Sequence, residues 1–254
     1  EIAYEYARRG AKLSLVDIRK EKLEAVADKA RSLGSPDVTI IAADVSKPQH
    51  CKRFVDRTVD YFGRCIGKPE EVENWRDVSD FTPVMDINFW GAVYGTLYAI
   101  PHLKVNKGRI IVIASGCGWF PIPKISIYNA SKAAVINFFE TLRMEIGCDI
   151  AITIATPGLI KTDLTLRAMK YYEASLGIFP MGSACECGRA IVESACKGDM
   201  YVINPSWVKV LFPWKVLYPE LVDWASRLVF GLSQNSSSNK AHLHLSRIPE
   251  LKVK

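Results

Sequence analysis

The sequence predicts an α/β protein in which a parallel β-sheet is covered by helices on both faces. Short apolar runs alternate along the chain with segments that have the spacing of amphipathic helices. The runs are apolar at nearly every position, as strands buried on both faces require. The chain has 254 residues, of which 49% are hydrophobic and 24% charged, enough for a sizeable core.

The first quarter of the chain contains two strand–helix units. The predicted elements are a helix ending at Gly10, a strand at 12–16, a helix at 20–33, a strand at 38–43 and a helix from Ser46 to about Phe62. Gly10 suits the end of a helix, and Ser46 suits the cap at the start of one. Each strand is followed by an acidic residue, Asp17 or Asp44.

The alternation stops over residues 64–79, which are polar and show no periodicity, and then resumes. The later predicted elements are a helix at 83–103, a strand at 109–114, a helix at 126–147, a strand at 150–155, a helix at 183–196 and a strand at 200–203. Residues 1–200 are therefore interpreted as one α/β domain. Residues 201–254 form an extension that is rich in Trp, Phe, Leu and Tyr with interspersed basic residues, followed by a polar tail.

Charge and cysteine content narrow the function classes. The formal net charge is +6 and the basic residues are scattered, which argues against a nucleic-acid partner. The seven cysteines include no CxxC pair and the chain has four histidines, so neither a disulfide scaffold nor a metal site is expected.

The strongest chemical signal is a tyrosine and a lysine four residues apart on a predicted helix. Tyr128 and Lys132 share one face of that helix, and Ser115 lies 13 residues before Tyr128, at the carboxyl end of a predicted strand. Open α/β sheets bind ligands at that edge. A tyrosine with a pKa near 10 is a poor acid or base at neutral pH, but an ammonium group beside it stabilises the phenolate. The three residues can transfer a proton at a carbinol oxygen while a cofactor transfers hydride.

These residues resemble the short-chain dehydrogenase/reductase family, and more closely its plant 11-beta-hydroxysteroid dehydrogenase-like members, which include the steroleosins. The stretches that carry the resemblance are EYARRGAKLSLVDIRKEKL, AADVSK, VMDINFWGAVYGT, VIASGCGW, IYNASKAAVINFFETLRMEIG, PGLIKTD and INPSW. The resemblance implies a Rossmann-like fold and an NAD(P)-dependent oxidoreductase. Its substrate would be a hydrophobic, steroid-like alcohol or ketone.

The resemblance also assigns roles to residues of this chain. Tyr128 would be the catalytic acid/base, Lys132 would lower its pKa and bind the nicotinamide ribose, and Ser115 would orient the substrate oxygen. Asn88 would complete the tetrad by holding a water that links Lys132 to solvent. The cofactor-binding residues would be Asp17, Asp44, Val45, Tyr128, Lys132, Pro157, Gly158 and Thr162. Asp17 favours NAD, because a carboxylate bonds both ribose hydroxyls and repels a 2′-phosphate; nearby Arg19 and Lys20 leave NADP as the alternative.

The chain departs from the family pattern at two places. It contains no glycine-rich TGxxxGIG turn, which in the family precedes the first helix and binds the pyrophosphate through backbone N–H groups. It also contains no NNAG strand after residues 62–64. The family strand order is 3-2-1-4-5-6-7, so the expected sheet lacks central strands 1 and 4. The remaining strands would be a pair and a group of three, which either pair with each other or leave open edges.

Two functions follow from these expectations. In the first, the protein is an oxidoreductase, and residues 164–179 form an apolar lid over the substrate. In the second, it is a catalytically impaired fragment or remnant associated with a membrane or lipid droplet through residues 201–232. A third interpretation is that the sequence is an incomplete record of an intact enzyme, since the chain starts inside a predicted helix. The resemblance implies a cytosol-facing location at the endoplasmic reticulum or a lipid droplet, an N-terminal anchor upstream, and a homodimer through helices 83–103 and 126–147.

Overall fold

A computed structural model describes residues 1–62, 82–123, 125–162, 165–166 and 179–229. The first elements are α1 (Ile2–Arg8), β1 (Leu13–Asp17), α2 (Lys20–Ser32), β2 (Val38–Ala42), α3 (Pro48–Phe62), α4 (Thr82–Met85) and α5 (Gly91–Val105). They are followed by β3 (Arg109–Ile113), α6 (Ser126–Ile146), β4 (Ala151–Pro157), β5 (Ile160–Lys161), β6 (Gly182–Ser183), α7 (Ala184–Lys197), β7 (Tyr201–Asn204), α8 (Leu211–Leu217) and α9 (Pro219–Val229). The aperiodic segment 64–79 lies outside the described residues.

The strands form parallel sheets, as the sequence predicts. β1 pairs with β2, and β4 lies between β3 and β7 in a second sheet. β5 and β6 form a further two-residue parallel pair that the sequence analysis did not predict. Within the described part of the chain, β1 and β3 do not pair with each other. The expected pair and group of three are therefore confirmed, and among the described residues they form two separate sheets.

Helices cover both faces of the two larger sheets, and successive strand residues point to opposite faces. Leu13 and Leu15 of β1 pack toward the cluster formed by α1 and α2, whereas Val16 packs against α3. In β3, Ile110 and Val112 belong to the core formed with α5 and α6. The two other isoleucines of β3 pack against α7. This alternation yields the predicted three-layer arrangement in each half.

Two helices connect the halves, one on each face. On one face, α1 contributes Ala7 to the β1–β2 side and Ile2 to the cluster around α7. On the other face, α5 packs Tyr94 and Tyr98 against α3 and buries Leu103 in the core beneath β3. The α1–α7 and α3–α5 contacts therefore connect the sheets, although their strands do not.

The helix predicted over 83–103 has a local irregularity. α4 and α5 are joined by a π-helical turn, Asp86–Trp90, which contains Asn88. Such a turn inserts an extra residue and re-aims the side chains around it. The sequence pattern predicts a helix here, but it does not distinguish a π-turn from an ordinary α-helical turn.

The segment set apart as a C-terminal extension begins with a strand of the sheet. β7 pairs with β4 through the register Ala155–Val202. A short 3₁₀ turn, Ser206–Val210, follows and leads into α8 and α9. Across the described ranges, no helix combines the length and the hydrophobicity that a bilayer crossing requires.

Two glycines of α5 give a stability test of the fold. A Cβ at Gly91 would lie 2.8 Å from Val45 Cγ2 and 3.1 Å from the Val45 carbonyl oxygen, whereas a Cβ at Gly95 would meet Phe54 at an ordinary 3.5 Å. We expect Gly91→Ala to destabilise the protein by about 1–3 kcal/mol through overpacking. Gly95→Ala should stabilise it by up to about 1 kcal/mol, because alanine is the better helix former.

Urea unfolding of the two variants measures this difference. Equal free energies of unfolding for the two alanine variants would show that α5 does not approach the Val45 loop as closely as the structure has it.

Candidate active site

Ser115 follows β3 and begins a tight turn. Its backbone is extended, and its Oγ accepts a hydrogen bond from the Cys117 N–H at 3.2 Å, which caps the 3₁₀ turn Gly116–Gly118. That bond fixes the serine side chain at the carboxyl end of a parallel strand. A hydroxyl oxygen that accepts one hydrogen bond can still donate its own proton to another group. The sequence predicted this position, and the structure places Ser115 there.

The turn after Ser115 lies directly on helix α6. A Cβ on Gly118 would stand 2.9 Å from both the carbonyl carbon and the carbonyl oxygen of Lys132, and 2.7 Å from Ile136 Cδ1. Real Cβ atoms do not approach backbone that closely, so glycine permits this contact. Gly118 therefore brings the serine turn next to the lysine-bearing part of α6.

Tyr128 and Lys132 lie on α6, as predicted, and Lys132 is buried to 8% exposure. The Lys132 Nζ lies 5.7 Å from the centroid of the Tyr128 ring. It also donates to the Ile113 carbonyl oxygen at 3.2 Å. The ammonium thus lies between the tyrosine and the end of β3, two residues before Ser115.

The Ile113 carbonyl, which accepts the Lys132 hydrogen bond, lies at an edge of β3 where the described residues form no further strand. The Ala114 N–H donates to Ala155 of β4 at 2.8 Å, and neighbouring strand residues direct their backbone groups to opposite sides. The Ile113 carbonyl therefore points away from β4, toward the edge of β3 that no described strand covers. Lys132 satisfies an acceptor that a neighbouring strand would otherwise bond.

Asn88 connects the π-turn to α6. It is 5% exposed, and its Nδ2 donates to Ser131 Oγ at 3.1 Å. The Ser131 hydroxyl in turn donates to the Tyr128 carbonyl at 2.8 Å. The structure therefore brings Asn88 to the Tyr128–Lys132 turn of the helix, through a serine to which the sequence analysis gave no role.

Pro157 and Gly158, at the end of β4, contact the serine turn and the C-terminal segment. A Cβ on Gly116 would lie 3.4 Å from the Pro157 carbonyl oxygen, and a Cβ on Gly158 would lie 2.6 Å from Val208 Cγ2. The Gly158 N–H donates to Asn204 at 2.8 Å. Val208 therefore closes this side of the site, although the sequence analysis assigned its segment to a separate extension.

Thr162 lies further along the same segment and is exposed. Its Oγ1 is 3.1 Å from Thr165 Oγ1, and its carbonyl accepts the Leu166 N–H at 2.9 Å. Most of the predicted lid, residues 164–179, lies outside the described residues. Where the chain is described again, Phe179 stacks on Trp207 with ring centroids 5.7 Å apart. The Trp207 indole N–H donates to the Pro180 carbonyl at 3.2 Å.

Asp17 ends β1, but its carboxylate already has a partner. Arg19 donates to Asp17 from Nε at 3.0 Å, from Nη2 at 3.2 Å and from its backbone N–H at 2.9 Å. Both carboxylate oxygens therefore face the same guanidinium group. Any ribose hydroxyl at this strand end would share Asp17 with Arg19.

Asp44 and Val45 lie in the loop after β2. Ser46 donates to Asp44 Oδ1 from its backbone N–H at 3.0 Å and from its hydroxyl at 2.7 Å. Partial burial raises the pKa of Asp44, but the Ser46 hydrogen bonds and the nearby Lys47 and His50 outweigh it and leave that pKa lowered. Asp44 is therefore held as a carboxylate, while Val45 packs against Gly91.

Cys117 is a further residue of this site that the sequence analysis missed. Burial raises the pKa of its thiol, and the Ser115 hydroxyl and the Lys132 charge offset only part of that effect. The thiol therefore stays protonated and adds no negative charge beside Ser115. Gly118, Cys117 and Ser131 all lie within the stretches that carried the family resemblance, but their roles depend on contacts between distant segments.

The site thus combines a tyrosine, a lysine and a serine at the carboxyl edge of a parallel sheet in a Rossmann-like fold. The family model of the short chain dehydrogenases matches residues 1–172. The chain belongs to the short-chain dehydrogenase/reductase family.

Curated proteins that are similar to this chain include plant hydroxysteroid dehydrogenases. The 11-beta-hydroxysteroid dehydrogenase 1A of Arabidopsis thaliana is 43% identical over 265 positions, covering 94% of this chain and 75% of that protein. The 11-beta-hydroxysteroid dehydrogenase of Pinus massoniana is 45% identical over 261 positions, covering 95% and 73%. The family interpretation and the resemblance to the plant proteins are therefore confirmed.

Solved structures share the fold at low identity. A short chain dehydrogenase/reductase from Burkholderia phymatum, in complex with NAD, superposes with a TM-score of 0.75 at 19% identity, covering 87% of this chain and 89% of that one. A 7 alpha-hydroxysteroid dehydrogenase complexed with NADH and 7-oxo glycochenodeoxycholic acid gives 0.70 at 19% identity, covering 80% and 86%. These likenesses confirm the Rossmann-like fold.

The residues present fit the nicotinamide-ribose end of a dinucleotide. The Lys132 ammonium and the hydroxyls of Tyr128 and Thr162 are the donors that ribose hydroxyls and a carboxamide use. The Lys132 ammonium donates one hydrogen bond to the Ile113 carbonyl, which holds it at the carboxyl end of β3. The given sequence contains no glycine-rich turn of the kind that binds a pyrophosphate through backbone N–H groups.

Proposed function

We propose that the protein is an NAD(P)-dependent oxidoreductase that interconverts a secondary alcohol and a ketone on a hydrophobic, steroid-like substrate. The observation that carries this proposal is the position of Lys132, whose ammonium lies beside the Tyr128 ring and against the strand that leads to Ser115. Family membership and the names of the plant relatives support the reaction type and the substrate class.

The chain's own residues perform the proton transfer in this proposal. In the reducing direction, the Tyr128 hydroxyl donates its proton to the carbonyl oxygen, and the Lys132 ammonium stabilises the resulting phenolate. Ser115 donates a hydrogen bond to the same oxygen. A bound nicotinamide supplies the hydride. In the oxidising direction, the phenolate removes the proton of the carbinol.

The cofactor preference is proposed to depend on the Asp17–Arg19 pair. Asp17 favours NAD, since a carboxylate repels a 2′-phosphate. Arg19 neutralises that charge in part and presents a guanidinium that suits a phosphate. The structures complexed with NAD and with NADPH among the solved relatives support use of the NAD(P) class.

A second candidate function is attachment to a membrane or lipid droplet from the cytosolic side. It is favoured by the apolar surface of α8 and α9, where Trp214, Trp224 and Leu228 are 50%, 62% and 60% exposed. In α9, Leu221, Trp224 and Leu228 share one face, as in helices that lie in a bilayer interface. Lys215 and Arg227 on the same helices suit anionic headgroups. The membrane-attached protein is then either an active enzyme or a catalytically impaired one.

Tyr128→Phe tests the proposed reaction. Removing the hydroxyl removes the proton donor, so we expect turnover of a steroid ketone with NADH or NADPH to fall by roughly 10²–10⁴-fold. Tyr98→Phe is the matched control, because Tyr98 packs against the β2–α3 cluster away from this site. Full activity in Tyr128→Phe would exclude the mechanism, and retained cofactor binding would show that the variant is intact.

The Asp17–Arg19 pair gives a test of cofactor choice. We expect NADH to bind more tightly than NADPH, Arg19→Ala to widen that preference, and Asp17→Ala to shift it toward NADPH by about tenfold. Fluorescence titration of each variant with both cofactors measures these affinities. Tighter NADPH binding by the unsubstituted protein would mean that Arg19, and not Asp17, determines the cofactor preference.

Vesicle flotation tests the membrane surface. We expect the protein to float with phosphatidylcholine vesicles, more so with added phosphatidylserine, and the double variant Trp224→Ser/Leu228→Ser to float several-fold less. Val105→Ser/Met144→Ser is the matched control, since those side chains are 83% and 80% exposed outside α8 and α9. Equal losses in the two double variants would contradict a role specific to α8 and α9.

A further inference from the structure

A cleft of about 310 Å³ lies between the C-terminal helices and the loop that joins Ser115 to Tyr128. One wall is the loop Phe120–Pro123, and the opposite wall comes from α8 and α9 through Lys215, Val222 and Arg227. This volume is at the lower end of the range of small-molecule sites.

The cleft is attached to the catalytic helix. Asn129, which follows Tyr128 in the chain, is 8% exposed, and its Nδ2 donates to the Ile122 carbonyl at 2.7 Å. On the other side, the Lys215 ammonium donates to the Trp119 carbonyl. The Trp119 ring packs edge-on against Phe212 of α8, with centroids 4.8 Å apart. The loop wall is therefore fixed both to α6 and to α8, next to the residues of the proposed reaction.

The lining combines an apolar wall with charged groups on α8 and α9. Phe120–Pro123, Pro219 and Val222 supply hydrocarbon surface, while Lys215, Asp223 and Arg227 supply two positive charges and one negative charge. Asp223 and Arg227 are four residues apart on α9, a spacing that permits an ion pair. Among the described residues, neither side chain forms an ion pair or a hydrogen bond. The Arg227 guanidinium is therefore available to a ligand anion.

We propose that this cleft binds the carboxylate-bearing end of an amphipathic substrate, so that the protein acts on acidic steroid- or lipid-like alcohols and ketones in preference to neutral ones. The apolar wall takes the hydrocarbon body. Arg227, assisted by Lys215, takes the carboxylate, because a guanidinium binds a carboxylate through two parallel hydrogen bonds. That the bound molecule is a substrate rests on the proposed function, whereas its binding in the cleft does not.

The test compares lithocholic acid with its methyl ester, which has the same ring system and lacks the negative charge. Equilibrium dialysis without cofactor, below the concentration at which the acid forms micelles, measures both dissociation constants. We expect the acid to bind roughly tenfold more tightly at low salt. The preference should shrink at high ionic strength, because Arg227 and Asp223 are exposed.

Variants of α9 locate the effect. Arg227→Met should reduce the preference for the acid to below about twofold while keeping the ester affinity, and Asp223→Asn should strengthen acid binding. Arg57→Met, at an exposed position of α3 outside the cleft, is the control for loss of one positive charge. Equal binding of acid and ester, no binding of either, or an unchanged preference in Arg227→Met would each overturn the proposal.

The readout is separate from that of the proposed reaction. A protein that binds the acid but shows no turnover would refute the reaction and leave the cleft assignment standing. A protein that reduces neutral ketones but does not prefer the acid would refute the cleft assignment and leave the proposed reaction standing.

Discussion

The candidate site depends on one close backbone contact, between the turn after β3 and helix α6 at Gly118 and Lys132. Ser115 belongs to the turn, and Tyr128 and Lys132 belong to the helix, so the distance between these two segments sets the geometry of all three side chains. A side chain as small as a methyl group at Gly118 would force the segments apart. The hydrogen bond from Lys132 to the Ile113 carbonyl is a second link between α6 and the end of β3.

A second constraint comes from the sheet. Within the described residues, the sheet β1–β2 does not pair with the sheet β3–β4–β7. Helices α1 and α5 connect the two sheets from opposite faces. Every residue of β1 is partly exposed, which is unusual for a strand of a parallel sheet. Ser115 lies in the turn after β3, and Tyr128 and Lys132 lie on α6, so these three residues belong to one half. Their arrangement therefore does not need a continuous sheet.

Much of this architecture follows from local sequence patterns. The strands, the helix pairs and the Tyr128–Lys132 face could be predicted because each depends on residues close together in the chain. The π-turn around Asn88 could not, since it depends on how α5 packs. The contacts of Gly118 and Val208 involve residues 14 or more positions apart, and no local pattern encodes them. Asp17 was correctly placed at a strand end, but its pairing with Arg19 decides how that carboxylate can bind a ribose.

Lys132 links the two constraints. An open edge of a parallel sheet presents carbonyl groups that need donors, and a lysine directed at such an edge both satisfies a carbonyl and discourages pairing with another strand. The Lys132 ammonium has three donors, of which the Ile113 carbonyl takes one. The same ammonium lies 5.7 Å from the centroid of the Tyr128 ring, where a positive charge stabilises a phenolate. The same bond that protects the edge of β3 therefore also holds the lysine where the proposed proton transfer needs it.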